Sequence, residues 1–96
     1  MPTNSKSYKS WLQAKLTSPA VAANYLNAAL NDSPEMFLTA LRNVSEAHRM
    51  AKVAEKAGLS RETLYRTLSG DGNPRLHSLD GILSAVGLRI KIVIQH

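Results

Sequence analysis

The chain has 96 residues, 44% of them apolar, which is enough for one small domain with a true core and a short extension. Twelve basic residues against seven acidic ones give a formal charge of +5, a balance that suits a polyanionic partner. The lack of cysteine excludes a disulfide framework, a thiolate metal site and a cysteine nucleophile, and it fits a cytoplasmic protein. No apolar run is long enough for a membrane span, and the first residues lack the apolar stretch of a signal peptide.

A short amphipathic helix is predicted over residues 7–16. Tyr8, Trp11 and Leu12 recur at helical spacing and give this helix an aromatic face. That face either packs on the domain or docks a partner protein, since aromatic side chains often anchor interfaces. Residues 1–6, which are polar, are expected to be frayed.

Two Ser-Pro pairs mark the starts of the next two helices, because each places an N-cap residue before a proline at the first helical position. The pairs are Ser18-Pro19 and Ser33-Pro34, and they predict helices over about 19–31 and 34–47. Met36 and Phe37 of the second of these helices are expected in the core.

Residues 50–69, MAKVAEKAGLSRETLYRTLS, have the pattern of two short helices joined by a sharp turn. Ala54 is small enough for two helices to cross closely, and Gly58 can take the positive φ that ends the first helix. Ser60 is a good N-cap for the second helix. The pattern indicates a DNA-binding helix-turn-helix unit rather than an ordinary helical hairpin with a charged face. Half of the basic residues also lie in or beside it, between residues 49 and 75.

The second helix of this unit is expected to read DNA with its outward face. Leu64 and Leu68, four residues apart, pack inward. The residues left outside are Arg61, Glu62, Tyr65 and Arg66. Arg66, and secondarily Arg61, are expected to donate two hydrogen bonds to a guanine, and Tyr65 to touch a thymine methyl group. The expected phosphate contacts are Lys52, Ser60, Thr63, Asn73 and Arg75.

Residues 69–96 are predicted to form a loop, a helix and a strand. Turn formers fill residues 69–74, and a helix of roughly 78–86 should follow, capped by Ser78 and stopped by Gly87. The last segment, LRIKIVIQ, alternates β-branched and polar residues as a strand does. A lone strand lacks a hydrogen-bonding partner within its subunit, so we expect a homodimer in which the same strands of two copies pair. The expected dimer residues are Leu88, Ile90, Ile92 and Ile94, and the alternative is a frayed or extended tail over the core.

Catalytic and metal chemistry find no support in the sequence. The three histidines, His48, His77 and His96, are far apart and have no carboxylate beside them at ligand spacing. The turn around residues 71–73 lacks the ligand pattern of a calcium loop and the strand and helix that flank a phosphate-binding loop. We therefore expect a protein that is not an enzyme and has neither a metal nor a cofactor.

Several segments resemble the addiction-module antidote family, the antitoxins of HigA type that are related to phage repressor and Cro-like regulators. The resemblance covers about residues 15–93, and its most specific segments are YLNAAL at 25–30, GLSRETLYRTLS at 58–69, GNPRLHSL at 72–79 and GLRIKI at 87–92. It implies an antitoxin that neutralises a RelE/ParE-like toxin and binds the operator of its own operon. The DNA-reading positions it implies are Ser60, Arg61, Glu62, Tyr65 and Arg66. One departure is the segment Leu79-Asp80-Gly81, where the family commonly has a more strongly helix-forming stretch; a glycine there costs about 1 kcal/mol against alanine.

The expected fold is therefore all-α. It is a Cro/repressor-like helix-turn-helix bundle over residues 33–96, with an N-terminal helical extension over residues 1–32 and a C-terminal dimerising β-strand. The extension is the expected toxin contact, through Tyr8, Trp11 and Leu12. Two other functions stay open: a stand-alone phage-type transcriptional regulator without a toxin partner, and a protein-interaction module whose motif no longer binds DNA.

Overall fold

The computed structural model describes residues 5–70 and 73–96, which contain six helices. They are α1 (Ser5–Leu16), α2 (Pro19–Asp32), α3 (Pro34–Ala47), α4 (Met50–Ala57), α5 (Arg61–Thr67) and α6 (Leu76–Ala85). Most of the predicted frayed start, and Asp71-Gly72 of the predicted turn, lie outside the described residues. None of the six helices is long and apolar enough to cross a bilayer.

The two Ser-Pro pairs start α2 and α3 as predicted. Ser18 Oγ accepts a hydrogen bond from the Val21 N–H at 3.4 Å, and Ser33 Oγ accepts one from the Met36 N–H at 3.0 Å. The N–H of Ser33 also donates to the Ala29 carbonyl at 3.1 Å and so ends α2. A single residue therefore joins α2 and α3, which pack against each other.

One core joins the N-terminal helices to the rest of the chain. Leu16 of α1 and Ala22 of α2 are buried in the same cluster as Leu41, Leu64 and Ile82. Both α1 and α2 pack on α3, α4 packs on α6, and α5 packs mainly on α4. Because burying one large aliphatic side chain contributes about 1.5–3 kcal/mol, α1 and α2 contribute to the stability of the whole fold.

Met36 and Phe37, both predicted to be core residues, lie on different faces of α3. Phe37 packs against the core, whereas Met36 is 45% exposed, so the prediction for Met36 is wrong. Consecutive residues of a helix point about 100° apart, and here the direction of Phe37 meets the core whereas that of Met36 does not.

Helix α6 begins earlier than predicted. Its N-cap is Arg75, which makes no side-chain capping bond, and Ser78 lies within the first turn. The backbone alone closes that turn, because the Leu79 N–H donates to the Arg75 carbonyl at 3.0 Å. At the other end, Gly87 has a φ of 84° and stops the helix as predicted.

The predicted C-terminal strand is wrong. Residues 88–96 have no secondary structure, and no strand occurs among the described residues. Leu88 packs against the core, but Ile90 is exposed and Ile92 and Ile94 are 89% and 83% exposed. A strand needs a second strand to complete its hydrogen bonds, and the described part of the chain supplies none. The predicted dimer contact through paired strands is therefore not seen.

Candidate nucleic-acid interface

The turn between α4 and α5 is built around a left-handed glycine. Gly58 has a φ of 71° and a ψ of 29°. Its N–H donates to the Glu55 carbonyl at 3.2 Å, and the Leu59 N–H donates to the Ala54 carbonyl at 2.9 Å, which is a Schellman motif. A Cβ at Gly58 would meet no atom within 4 Å. Glycine is therefore needed here for its backbone conformation and not for space.

Ser60 caps α5 as predicted and starts a chain of side-chain hydrogen bonds. Its Oγ accepts from the Thr63 N–H at 3.0 Å and donates to Thr63 Oγ1 at 2.8 Å. Thr63 Oγ1 also accepts from Arg66 Nη2 at 3.3 Å. This bond draws the Arg66 guanidinium back towards the N-terminal half of α5. Two residues predicted to contact phosphate, Ser60 and Thr63, thus also order an arginine predicted to read a base.

Helix geometry gives α5 one buried face, one outward face and two flanks. Leu64 and Leu68, at 0% and 1% exposure, form the buried face. At about 100° per residue, Glu62 and Arg66 point away from it. One flank carries Arg61 and Tyr65, and the other carries Thr63 and Thr67. Because Glu62 and Arg66 of the outward face and Arg61 of the flank are exposed, α5 presents charged groups to a partner.

Tyr65 is only partly exposed to solvent, whereas the other residues predicted to read DNA are exposed. Its ring is half-buried and packs against the core. The guanidinium of Arg42, an exposed residue of α3, lies over this ring, with Cζ 5.4 Å from the ring centroid. We did not predict Arg42 at this site from the sequence. The one feature of the sequence that sets Arg42 apart is that no other lysine or arginine lies between Lys15 and Arg49.

The other predicted phosphate contacts lie around the helix-turn-helix unit. Lys52 is exposed on α4. Asn73 and Arg75 are exposed in the segment between α5 and α6. Asn73 also lines a groove with Pro34 and Phe37. Within residues 5–70 and 73–96, no three histidine, cysteine or acidic side chains lie together in a way that could hold a metal.

A second exposed patch lies on α1. Tyr8 and Trp11 are 48% and 47% exposed, and their ring centroids are 5.8 Å apart. Lys15 Nζ lies 6.0 Å from the centroid of a Trp11 ring. Leu12, by contrast, is half-buried and packs against the core. The predicted aromatic face therefore divides into a packed part and an accessible part.

The chain is similar to a described family and to an uncharacterised bacterial protein. A family model described as "Probable addiction module antidote protein" matches residues 8–94, a range that includes all of α2 to α6. An uncharacterised protein of Haemophilus influenzae is 38% identical over 78 residues, which are 80% of each chain. No solved structure gives a significant match.

Proposed function

The chain belongs to the family of probable addiction module antidote proteins, and from that premise we propose that it is a DNA-binding antitoxin. In this proposal it neutralises a RelE/ParE-like toxin and represses its own operon by binding the operator. Family membership supports the antidote role. The DNA-binding role rests on one observation: the left-handed turn at Gly58 joins α4 to a short helix with exposed arginines.

The proposed DNA contact places α5 in the major groove. Arg66 points away from the buried Leu64/Leu68 face, so it is the side chain best directed at base edges. Guanine offers its O6 and N7 atoms as two acceptors, which match two N–H groups of one guanidinium. Arg61, on the flank of the same helix, is the second candidate. We expect one copy of the chain on each half of an inverted repeat, with the half-sites about one helical turn (roughly 34–36 Å) or a multiple of it apart.

The DNA-binding role can be tested on DNA upstream of the gene. Replacing Arg66 by alanine should weaken binding to the cognate site by about 1–3 kcal/mol and weaken binding to random DNA much less. Arg89→Ala is a matched control, because it removes the same charge from an exposed residue beside α2, away from α5. Fluorescence anisotropy with both DNAs measures the affinities. Equal losses on both DNAs would contradict base reading by Arg66, and wild-type protein that binds neither DNA would contradict the DNA-binding role.

The proposed toxin contact is the accessible part of the aromatic patch on α1. Tyr8 and Trp11 have neighbouring, tilted rings and are about half-exposed, which suits them as anchors for a protein partner. Lys15 adds a positive charge beside Trp11. Leu12 lies behind them and packs on the core, so its contribution is to hold α1 in place.

Co-purification with the product of the neighbouring gene tests the toxin contact. Full-length protein with both Tyr8→Ser and Trp11→Ser should lose the toxin, since truncating anchors of this kind typically costs at least about 2 kcal/mol, or about 30-fold in affinity. The matched control is Leu76→Ser, which removes a 70% exposed apolar side chain from α6. Removing α1 altogether is unsuitable because Leu16 is a core residue.

The outcomes separate three functions. Full toxin capture by the double variant would assign the contact to another surface. Wild-type protein that binds its operator but captures no toxin would favour a stand-alone phage-type regulator. Toxin capture without any DNA binding would favour a pure protein-interaction module.

A further inference from the structure

Arg42 and Tyr65 form a contact between α3 and the helix proposed to enter DNA. Arg42 is exposed, Tyr65 is half-buried, and the guanidinium lies 5.4 Å from the ring centroid. We propose that Arg42 contacts a DNA phosphate at the edge of the groove that α5 enters, and that the Tyr65 ring is the platform that holds it there. This inference rests on the proposed DNA binding and adds a residue from outside the helix-turn-helix unit.

The position of Tyr65 on α5 places Arg42 at the edge of the contact and not at its centre. At about 100° per residue, Tyr65 lies roughly midway between the buried Leu64/Leu68 face and the direction of Arg66. Arg61 is on the same flank but at the N-terminal end of α5, which enters the groove and can reach base edges. Tyr65 lies one turn further along, where this flank faces the sugar-phosphate backbone at the groove wall, whereas Arg66 faces the base edges. A cation that covers the flank is therefore placed to meet phosphate.

The chemistry of the Arg42–Tyr65 contact fits a phosphate ligand. The Arg42 guanidinium lies against an aromatic ring and not a carboxylate, so the contact leaves its positive charge in place. The ring accepts no N–H hydrogen bond of the kind a carboxylate would, so N–H groups of the guanidinium can still donate to phosphate oxygens. The ring also restricts the side chain before DNA arrives, which reduces the entropy lost on binding.

The same contact assigns a different role to Tyr65 from the one expected from the sequence. One face of its ring is covered by Arg42, and the side chain packs against the core. Tyr65 is then a positioning residue that acts through Arg42. A thymine contact by Tyr65 is the competing role. A platform for Arg42 affects the dependence of DNA affinity on salt, whereas a thymine contact affects the preference for one base pair.

The dependence of DNA affinity on salt tests the phosphate contact. One phosphate contact contributes about 0.9 to the slope of log K against log salt. When salt rises from 50 to 200 mM, the fall in DNA affinity of Arg42→Ala should therefore be about three- to fourfold smaller than the fall in affinity of the wild type. The change should be the same on cognate and random DNA, because phosphates carry no sequence information. Arg89→Ala, the control with the same change in charge, should keep the wild-type slope. An unchanged slope for Arg42→Ala would overturn the inference.

Substitutions of Tyr65 test the platform. Tyr65→Phe keeps the ring and should keep the wild-type slope, whereas Tyr65→Leu removes the ring and should reproduce the slope of Arg42→Ala. Adding Tyr65→Leu to Arg42→Ala should then change the slope no further. Thermal unfolding followed by circular dichroism verifies that the Leu variant is folded. A Tyr65→Leu variant with the wild-type slope but a changed preference at one base pair would show that Tyr65 reads a base and is not the platform.

The test distinguishes failure of this inference from failure of the proposed function. If wild-type protein binds no DNA at any salt concentration, both are wrong. If wild-type protein binds its operator and Arg66→Ala loses sequence preference, while Arg42→Ala behaves as wild type, the DNA-binding function stands and only the role of Arg42 is wrong.

Discussion

Replacing Gly81 by alanine should stabilise the protein, and the same replacement at Gly58 should destabilise it. Gly81 lies inside α6 and has no positive φ. A Cβ added there would lie 3.6 Å from the Ala57 carbonyl oxygen and 3.7 Å from its Cβ, which are ordinary van der Waals distances. The alanine methyl group thus fills space at the crossing of α4 and α6 without strain.

The magnitudes follow from the backbone conformation at each glycine. Alanine is favoured over glycine in a helix interior by about 0.8–1.0 kcal/mol, so Gly81→Ala should raise the free energy of unfolding by about that amount. At Gly58 the space around a Cβ is open, but φ is +71°. Alanine pays about 1–2 kcal/mol for a left-handed conformation, partly offset by the lower entropy of the unfolded chain. We expect a net loss of about 1 kcal/mol.

Thermal unfolding followed by circular dichroism measures both effects. For a chain of 96 residues the unfolding entropy is about 0.2 kcal/mol/K, so 1 kcal/mol corresponds to about 5 °C in Tm. Gly81→Ala should melt about 5 °C above wild type and Gly58→Ala about 5 °C below it. A lower Tm for Gly81→Ala would mean that α4 and α6 approach more closely than the structure shows. A higher Tm for Gly58→Ala would refute the left-handed turn.

Substitutions of Ser45 and Ser60 and one C-terminal deletion test the packing and capping described above by thermal unfolding. Ser45 is fully buried and its Oγ has no hydrogen-bond partner among the described residues, so Ser45→Ala should raise the free energy of unfolding by about 1 kcal/mol; a loss would reveal a partner for the hydroxyl. Ser60→Ala removes the capping bond to the Thr63 N–H and should cost about 1 kcal/mol, while Ser60→Asp restores the cap. Equal Tm values for these two variants would argue against the cap. Deleting residues 91–96, all exposed, should shift Tm by less than about 2 °C, and a larger fall would show that the tail packs on the fold.

Local signals in the sequence predicted most helix ends. The Ser-Pro pairs and Ser60 act through side-chain bonds to N–H groups three residues away, and Gly58 acts through its own φ. Such features need no knowledge of the rest of the fold. The predicted start of α6 is too late because its N-cap, Arg75, makes no side-chain capping bond. A cap of this kind does not require a particular residue type, so the sequence does not indicate it.

Contacts between distant residues could not be predicted from the same patterns. Alternation in residues 88–96 is typical of a strand, but pairing depends on a second strand that the described chain lacks. The contact of Arg42 with Tyr65 depends on how α3 and α5 are placed relative to each other. The spacing of apolar residues within either helix does not predict that placement. Exposure of Met36 likewise depends on which face of α3 the neighbouring helices cover.

The short length of α5 gives the proposed DNA-reading helix a mechanical property of its own. It has seven residues, too few to be stable alone, and it packs mainly against α4 through Leu64 and Leu68. Local opening of α5 breaks the contacts of these two leucines but leaves the other core residues packed, so it should require less free energy than global unfolding. Amide protons of α5 are therefore expected to exchange with solvent faster than those of α3, as an element that adjusts to a groove separately from the remaining helices would show.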